Sequence, residues 1–384
     1  MTSPRRKRVA LIVETSLASG RGILRGTGRY ARESDRWSLF HAARGLREAT
    51  PDWLSSWSGD GVIARVHSPE LASLLASLEL PVVDVLGVVR DAPFPIVHVD
   101  EGAIASEALS HFRERDFTHF AFYGTSDENW SPRRRDSFLA ASGGQASVFE
   151  APHEEDQASI EPMSRLRAWL RNLPKPCGIL VASDNRGLIL LETCRSEGIL
   201  VPEELAVLGV DNDQTLCEIS TPPLSSIRAG HNRVGYEAAR LLDQMMNGAS
   251  RKKIADPILV PPTGTVIRGS SDTLAIGDPV VARGISYMRE HLGESLTNER
   301  IAQACGVSRT LFQQRFRAAM NKSVREQLIG MRLRRAKLLV ESSQLTLRDI
   351  AERCGFRHQE YLGEVFRRHF GVSPGRLRRS RQGP

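Results

Sequence analysis

Two regimes of hydrophobic patterning divide the 384-residue chain. From residue 8 to about 265, short apolar runs alternate with stretches whose apolar positions recur every three or four residues. The runs VALIV (9–13), GVIARV (61–66), PVVDVL (81–86), FAFYG (120–124), GILVAS (178–183) and LAVLGVD (205–211) predict strands. Between them Gly22–Arg32, Ala103–Arg115, Arg134–Ala141, Met163–Leu173 and Arg186–Gly198 predict helices. Strand and helix signals in alternation imply parallel sheets covered by helices on both faces. About 250 residues of that pattern make two such lobes, with a ligand cleft at the carboxyl ends of their strands.

Beyond this region the period is helical only, and one pattern occurs twice. The first copy reads TNERIAQACGVSRTLFQQRF from Thr297, the second TLRDIAERCGFRHQEYLGEVF from Thr346. Each Thr stands where a helix N-cap is wanted, and Asp349 completes a capping-box spacing in the second copy. Ile301 with Ala302, and Ile350 with Ala351, supply a buried face, and Cys305-Gly306 and Cys354-Gly355 end the helix. A second helix follows from Ser308 or near Arg357, with apolar stripes Leu311, Phe312, Phe316 and Tyr361, Leu362, Val365, Phe366. Helix, glycine turn, helix is the helix-turn-helix unit. Between the copies Ser323–Ser343 predicts one helix of about 30 Å, a length that sets two recognition helices about one DNA turn (~34 Å) apart.

Charge sharpens this division. Ala282 to Pro384 holds 21 Lys and Arg against 9 Asp and Glu, an excess of +12 in a chain whose net charge is +7, which leaves −5 for everything before it. A positive field concentrated beside paired helices is the footprint of phosphate binding. The five cysteines have no metal-ligand spacing and read as reduced, buried thiols. The apolar run Val9–Val13 is closed by Glu14, too short for a signal-peptide core, and no eighteen-residue apolar stretch occurs, so a cytoplasmic protein away from the membrane is expected. No phosphate-cradling glycine loop, nucleophile elbow or metal cluster follows a strand, so neither enzyme activity nor a cofactor or metal is expected.

At the repeated units, with the ending RRHFGVSPGRLRR in which Ser373 caps and Pro374 opens a last helix, the chain resembles the AraC-type DNA-binding domain. STPPLSSIRAGHNRVGYEAARLLDQMM (220–246), VASDNRGLILL (181–191) and LAVLGVDND resemble the LacI-type and periplasmic sugar-binding family. That family carries its DNA-binding headpiece at the N-terminus, and the residues before Val9 leave no room for one. The fusion of both parts resembles the bacterial xylose-regulator family in order: RVALIV, DGVIA, HFAFYG and ILVPPTGTVIRGSSDTLAIGDPVVARGISYMREH. The resemblance implies a two-lobed periplasmic-binding-protein-like α/β domain (1–270), a linker (271–280) and an all-α domain with two helix-turn-helix units (281–384). It also implies a sugar-responsive transcription regulator, activating pentose catabolism with D-xylose or a related sugar as effector, acting as a homodimer on double-stranded operator DNA with RNA polymerase as partner. A competing reading, a sugar-binding protein or sugar-acting enzyme with an accessory basic helical domain, differs in one observable: only the regulator predicts steeply salt-dependent DNA retention.

A sugar presents hydroxyls that donate and accept together with an apolar ring face, so its site needs carboxylates, arginine and an aromatic platform. At the predicted strand ends stand Asp211, Asp184, and Ser16 with Arg21 in the first loop, and Trp130 and Arg134 lie in ENWSPRRRDSF. By resemblance Arg134 and Asp211 match effector-binding positions of the LacI-type family, Asp184 or its neighbour Ser183 matches another, and Trp130 matches a tryptophan of the xylose regulators. Asp211 with Arg134 also fits a structural ion pair, Asp184 a helix N-cap, Arg21 a solvated side chain, and Asp100 a cap. On the outward faces of the two second helices, Arg309, Thr310, Gln313, Gln314 and then His358, Gln359, Glu360 are placed to reach base edges. Arg317, Lys322, Arg367 and Arg368 are placed for phosphates.

Overall fold

The computed structural model describes residues 5–43, 45, 48–152, 160–248, 256–273 and 275–381. They form two compact units, Met1–Thr273 and Leu274–Pro384.

The first unit opens with β1 (Lys7–Ile12), α1 (Ala18–Ser34), β2 (Trp37–His41), β3 (Gly61–Ala64), α2 (Pro69–Ser77), β4 (Val82–Asp84) and β5 (Val97–Val99). Strands order as β2-β1-β3-β4, all parallel, and an Asp84–Ile96 bridge carries the sheet on to β5. The chain then crosses to a second lobe: α3 (Glu101–Arg113), β6 (His119–Thr125), α4 (Ser131–Ala141), β7 (Ser147–Ala151), α5 (Ile160–Asn172), β8 (Cys177–Val181), α6 (Asp184–Ser196), β9 (Leu205–Val210), α7 (Gln214–Ile219) and β10 (Ser225–Ile227). It returns for α8 (His231–Met246) and β11 (Ile258–Val260), which pairs with β5, and crosses a third time to β12 (Thr265–Val266). The second sheet runs β12-β10-β9-β8-β6-β7, parallel except at β12.

β8 and β9 are buried at every position, as strands covered by helices on both faces must be. Their side chains join Leu166, Leu170, Leu190 and Cys194 in the core of the second lobe. In the first lobe α1 and α8 meet backbone to backbone. A Cβ on Gly26 would lie 1.9 Å from the Asn232 carbonyl oxygen, and one on Gly235 2.0 Å from that of Ile23. Only glycine permits that approach.

Residues 271–280, expected as a linker, divide between the units. Ser270 and Ser271 are buried in the first, where Ser271 Oγ lies 2.8 Å from His111 Nε2. The second unit opens at α9 (Pro279–Glu290), whose N-cap Asp278 accepts from the Val280 and Val281 N–H groups. There follow α10 (Asn298–Ala304), α11 (Arg309–Met320), α12 (Val324–Ser342), α13 (Leu347–Arg353), α14 (Gln359–Phe370) and α15 (Pro374–Arg381). Thr297 and Thr346 cap their helices as the sequence predicts, Ser308 caps α11, and Ser323 forms a full capping box with Glu326. Gly306 (φ +70°) and Gly355 (φ +75°) make the left-handed turns that end α10 and α13. At Gly355 a Cβ would lie 2.3 Å from the Leu292 carbonyl oxygen, so the turn is fixed by close approach as well as by φ.

Among the described residues no helix is long and apolar enough to cross a membrane, and no group of three His, Cys, Asp or Glu is placed to hold a metal. All five cysteines are free and buried.

Candidate functional site

Each sheet has a point where the chain turns from one side of its first strand to the other: between β1 and β3 in the first lobe, between β6 and β8 in the second. Helices on opposite faces leave a crevice there, outside the strand ends. The two crevices face each other across one cleft. After β1 comes Glu14 and after β3 Arg65, which are ion-paired and nearly buried, with Arg65 also 3.3 Å from Ser19 Oγ. β6 ends at Thr125 and is followed by the loop to Trp130, and after β8 comes Ser183. An outer chamber of about 520 Å³ is bounded by Glu14, Arg65, His67, Asp127, Asn129 and Trp130. Arg65, Leu86 and Trp130 also line an inner recess of about 40 Å³, with Arg134, Asn185, Arg186, Asp211 and His231. The recess has room for only a water or two and is smaller than a sugar ring.

Asp211 follows β9 with φ +100° and lines the recess. Its Oδ1 accepts from His231 Nε2 at 2.8 Å, and His231 begins α8 on the opposite lobe. Burial acts to raise the Asp211 carboxyl, but the His231 ring, Arg134 and Arg65 outweigh it and hold the group down to about 2. A charged acceptor is therefore fixed at the junction of the lobes. Because the folded value lies below the unfolded one of about 3.9, this carboxylate contributes stability above pH ~4 that is lost as pH falls toward 2.

Arg134 enters the recess from α4, 4% exposed. Its partner is not Asp211 but Glu101: Nε donates to Oε2 at 2.7 Å and Nη2 to Oε1 at 2.9 Å, while Nη1 donates to the Ala182 carbonyl at 2.5 Å. Trp130 stands just before the same helix without a side-chain cap bond, its ring 5.6 Å from the Arg134 guanidinium carbon, and its indole N–H is buried with no hydrogen-bond partner among the described residues. That N–H is an unspent donor at the boundary of recess and chamber.

Three of the expected sugar ligands fall elsewhere. Asp184 is neither a cap nor a wall of the cleft: Ser183 caps α6, and the Asp184 side chain turns inward to accept from Ser226 Oγ and the Asp213 N–H, both at 2.6 Å. Burial and then the Asp211 charge push its carboxyl up to about 8, and the side chain ties the loop after β9 to β10. Ser16 is exposed and contributes only its carbonyl, which accepts from Arg21. Arg21 also donates to the Thr15 carbonyl and to Asp213 across the cleft, so it struts the two lobes. Leu17 and Ser19 line the recess in their place. Sequence reasoning missed Glu14, Arg65, Asn185 and His231. Glu14 and Arg65 carry the signal that identified Asp211, a charge closing an apolar strand run.

In the second unit α11 buries Phe312, Phe316 and Met320, and α14 buries Leu362, Val365 and Phe366. Arg309, Thr310, Gln314, Arg317 and Lys322 are therefore exposed and Gln313 half-exposed, as are His358, Gln359, Glu360, Arg367 and Arg368 on the second copy. Arg309 is paired with Glu299, and Arg368 with Glu364 at 2.7 Å. The two recognition helices are unequal. Where α11 presents Gln313 and Gln314, α14 has Gly363 and Glu364 in the same helical register. Gln314→Ala is expected to weaken a selected operator by ~1–3 kcal/mol without changing random-DNA affinity, whereas Arg317→Ala weakens both alike. Retention assays on both DNAs at several salt concentrations separate the roles, and equal losses for the two variants would remove the distinction.

Comparison with known proteins agrees with both halves of this geometry. Residues 8–99 match the family described as XylR N-terminal domain, 109–271 a periplasmic binding protein-like domain, and 301–380 a helix-turn-helix domain. The chain is 30% identical over 382 residues to the xylose operon regulatory protein of Haemophilus influenzae, covering 97% of this chain and 98% of that one. It is 29% identical over 385 residues to the Escherichia coli K12 protein of the same name, covering 97% of each. A solved structure described as the xylose-binding transcription activator xylR superposes with a TM-score of 0.82 at 28% identity, over 98% of this chain and 99% of that one. With both domains matched along nearly the whole chain by regulators, the chain is a sugar-responsive transcription regulator and belongs to the xylose operon regulatory protein family.

Proposed function

We propose that the effector is a neutral pentose, D-xylose or a close relative, held in the cleft of the first unit. The observation that carries this reading is the ionised Asp211 fixed between the lobes at 2.8 Å from His231, beside an indole N–H that meets no acceptor among the described residues. Such a carboxylate accepts from sugar hydroxyls in charge-assisted bonds, and the Trp130 ring offers a face to the sugar carbons. The arginines of the recess already donate to protein: Arg65 to Glu14, Arg134 to Glu101, and Arg186 to Thr125 Oγ1 at 2.7 Å and the Ala151 carbonyl at 3.1 Å. Among the described residues of the recess, a phosphorylated sugar would meet Asp211 and Glu14 with no uncommitted guanidinium to bind it. Sugar binding drives the lobes together only to the extent that the closed cleft binds it more tightly than the open one. The signal passes to operator DNA through the two helix-turn-helix units of a homodimer, which recruits RNA polymerase as an activator.

Calorimetric titration with D-xylose, L-arabinose, D-ribose, D-glucose and D-xylose 5-phosphate tests the effector. Binding of a free pentose and not of the phosphate is expected; binding of the phosphate alone would overturn the reading. Asp211→Asn keeps the shape and loses the charge, and is expected to lower pentose affinity by ~1.5–3 kcal/mol, about ten- to a hundredfold, with sugar-free DNA binding unchanged. An unaltered titration would remove Asp211 from the site, whatever happened to stability.

A further inference from the structure

Adjacent arginines on α4 go to opposite lobes. Arg134 stays in the second lobe with Glu101, while Arg133 reaches over the cleft to the first: its Nη1 donates to the Leu86 carbonyl at 3.1 Å and its Nη2 to the Gly87 carbonyl. The acceptor turn is built to receive it. Asp84, 1% exposed at the end of β4, accepts from the N–H groups of Val66 at 3.2 Å, Leu86 at 2.8 Å and Gly87 at 2.9 Å. With the amide hydrogens turned inward to one carboxylate, the Leu86 and Gly87 carbonyls point outward. A side chain at Gly87 (φ +66°) would be strained, since a Cβ there would lie 2.7 Å from Ile96 Cγ2. Leu86 itself lines both the recess and the outer chamber. One loop away, Asn129 Nδ2 donates to the His67 carbonyl at 2.6 Å, a second tie across the same mouth of the cleft.

We propose that Arg133 is a positioning residue for effector binding: by gripping the turn after β4 it holds the lobes closed, and so sets how long a bound sugar stays without touching it. A guanidinium donating to two carbonyls across a cleft exists only in the closed arrangement, so its free energy belongs wholly to that state. The Asp84 carboxylate behind the turn adds attraction for the same cation. The sugar part of this inference rests on the effector reading above.

Full-length protein and the variants Arg133→Ala and Arg133→Lys test it. In stopped-flow experiments with whichever pentose the titrations select, Arg133→Ala is expected to speed sugar dissociation roughly tenfold, the worth of a hydrogen bond to a charged group, with the association rate unchanged. Arg133→Lys, which keeps one charged donor, should lie between. A residue that only supported the fold would lower the melting temperature and leave dissociation alone; an unchanged dissociation rate therefore overturns the proposal. If the wild-type chain binds no sugar in the panel, the effector reading fails separately. Small-angle scattering of the sugar-free protein then decides the latch: a larger radius of gyration for Arg133→Ala supports it, and superimposable curves reject it.

Discussion

Replacing Arg134 by Ala is expected to destabilise the first unit by about 3–5 kcal/mol, because it leaves the Glu101 carboxylate buried without its partner. The two side chains are each 5% exposed and bonded through two nitrogens to two oxygens, so water cannot take the place of the guanidinium. For a unit of this size the loss corresponds to about 6–20 °C in melting temperature by calorimetry. Sugar binding should fall with it, since the recess loses the side chain that carries Trp130 on its face. Pairing Arg134→Met with Glu101→Leu removes both charges and should restore most of the stability but not the sugar affinity. If Arg134→Ala alone melted within a degree or two of the parent, the ion pair would not be the brace of this lobe.

The second large effect is expected at Phe366, fully buried where α14 meets α12. Phe366→Ala removes a ring packed among Leu333, Ala336, Val340, Ile350 and Leu362 and should cost about 3–5 kcal/mol, much of the stability a domain of this size possesses. The second helix-turn-helix then frays while the first, built around Phe312 and Phe316, remains. Operator affinity should collapse toward the non-specific level, with sugar titration unchanged. Retention on the full operator and circular dichroism on one preparation check both halves, and an intact footprint over both half-sites would show that the second unit tolerates the cavity.

The fold was legible where strands are buried on both faces. β8 and β9 read as continuous apolar runs because no position on them meets water. β2, an edge strand with three exposed residues in the middle, carries no such pattern, and the three-residue strands β5, β10 and β11 exist only because their neighbours do. The helix-turn-helix repeats were legible almost to the residue, since caps and glycine turns are local chemistry.

The cleft divides on the same line. Asp211 stands out as a charge ending a strand, but that its partner is His231 and that Arg134 belongs to Glu101, 33 residues away, are facts of three-dimensional proximity. Asp184 shows the limit most sharply. Ser183 and Asp184 both suit a helix N-terminus, and only the packing of α7 and β10 against α6 decides that the hydroxyl caps while the carboxyl is buried. Asp100, read as a cap, is one: its Oδ1 accepts from the Ala103 N–H at 2.9 Å.

The 19 residues of α12 make operator spacing a property of covalent length. Each residue inserted into that helix would advance the second recognition helix by about 1.5 Å and swing it about 100° around the axis. One added residue would thus turn α14 away from the groove, and several would be needed before it faced DNA again, by then displaced along the duplex. Side chains on α11 and α14 can change one at a time and follow drifting bases, but the distance between half-sites cannot drift in small steps. In descendants of this protein, operator sequence is free to wander while operator geometry is inherited.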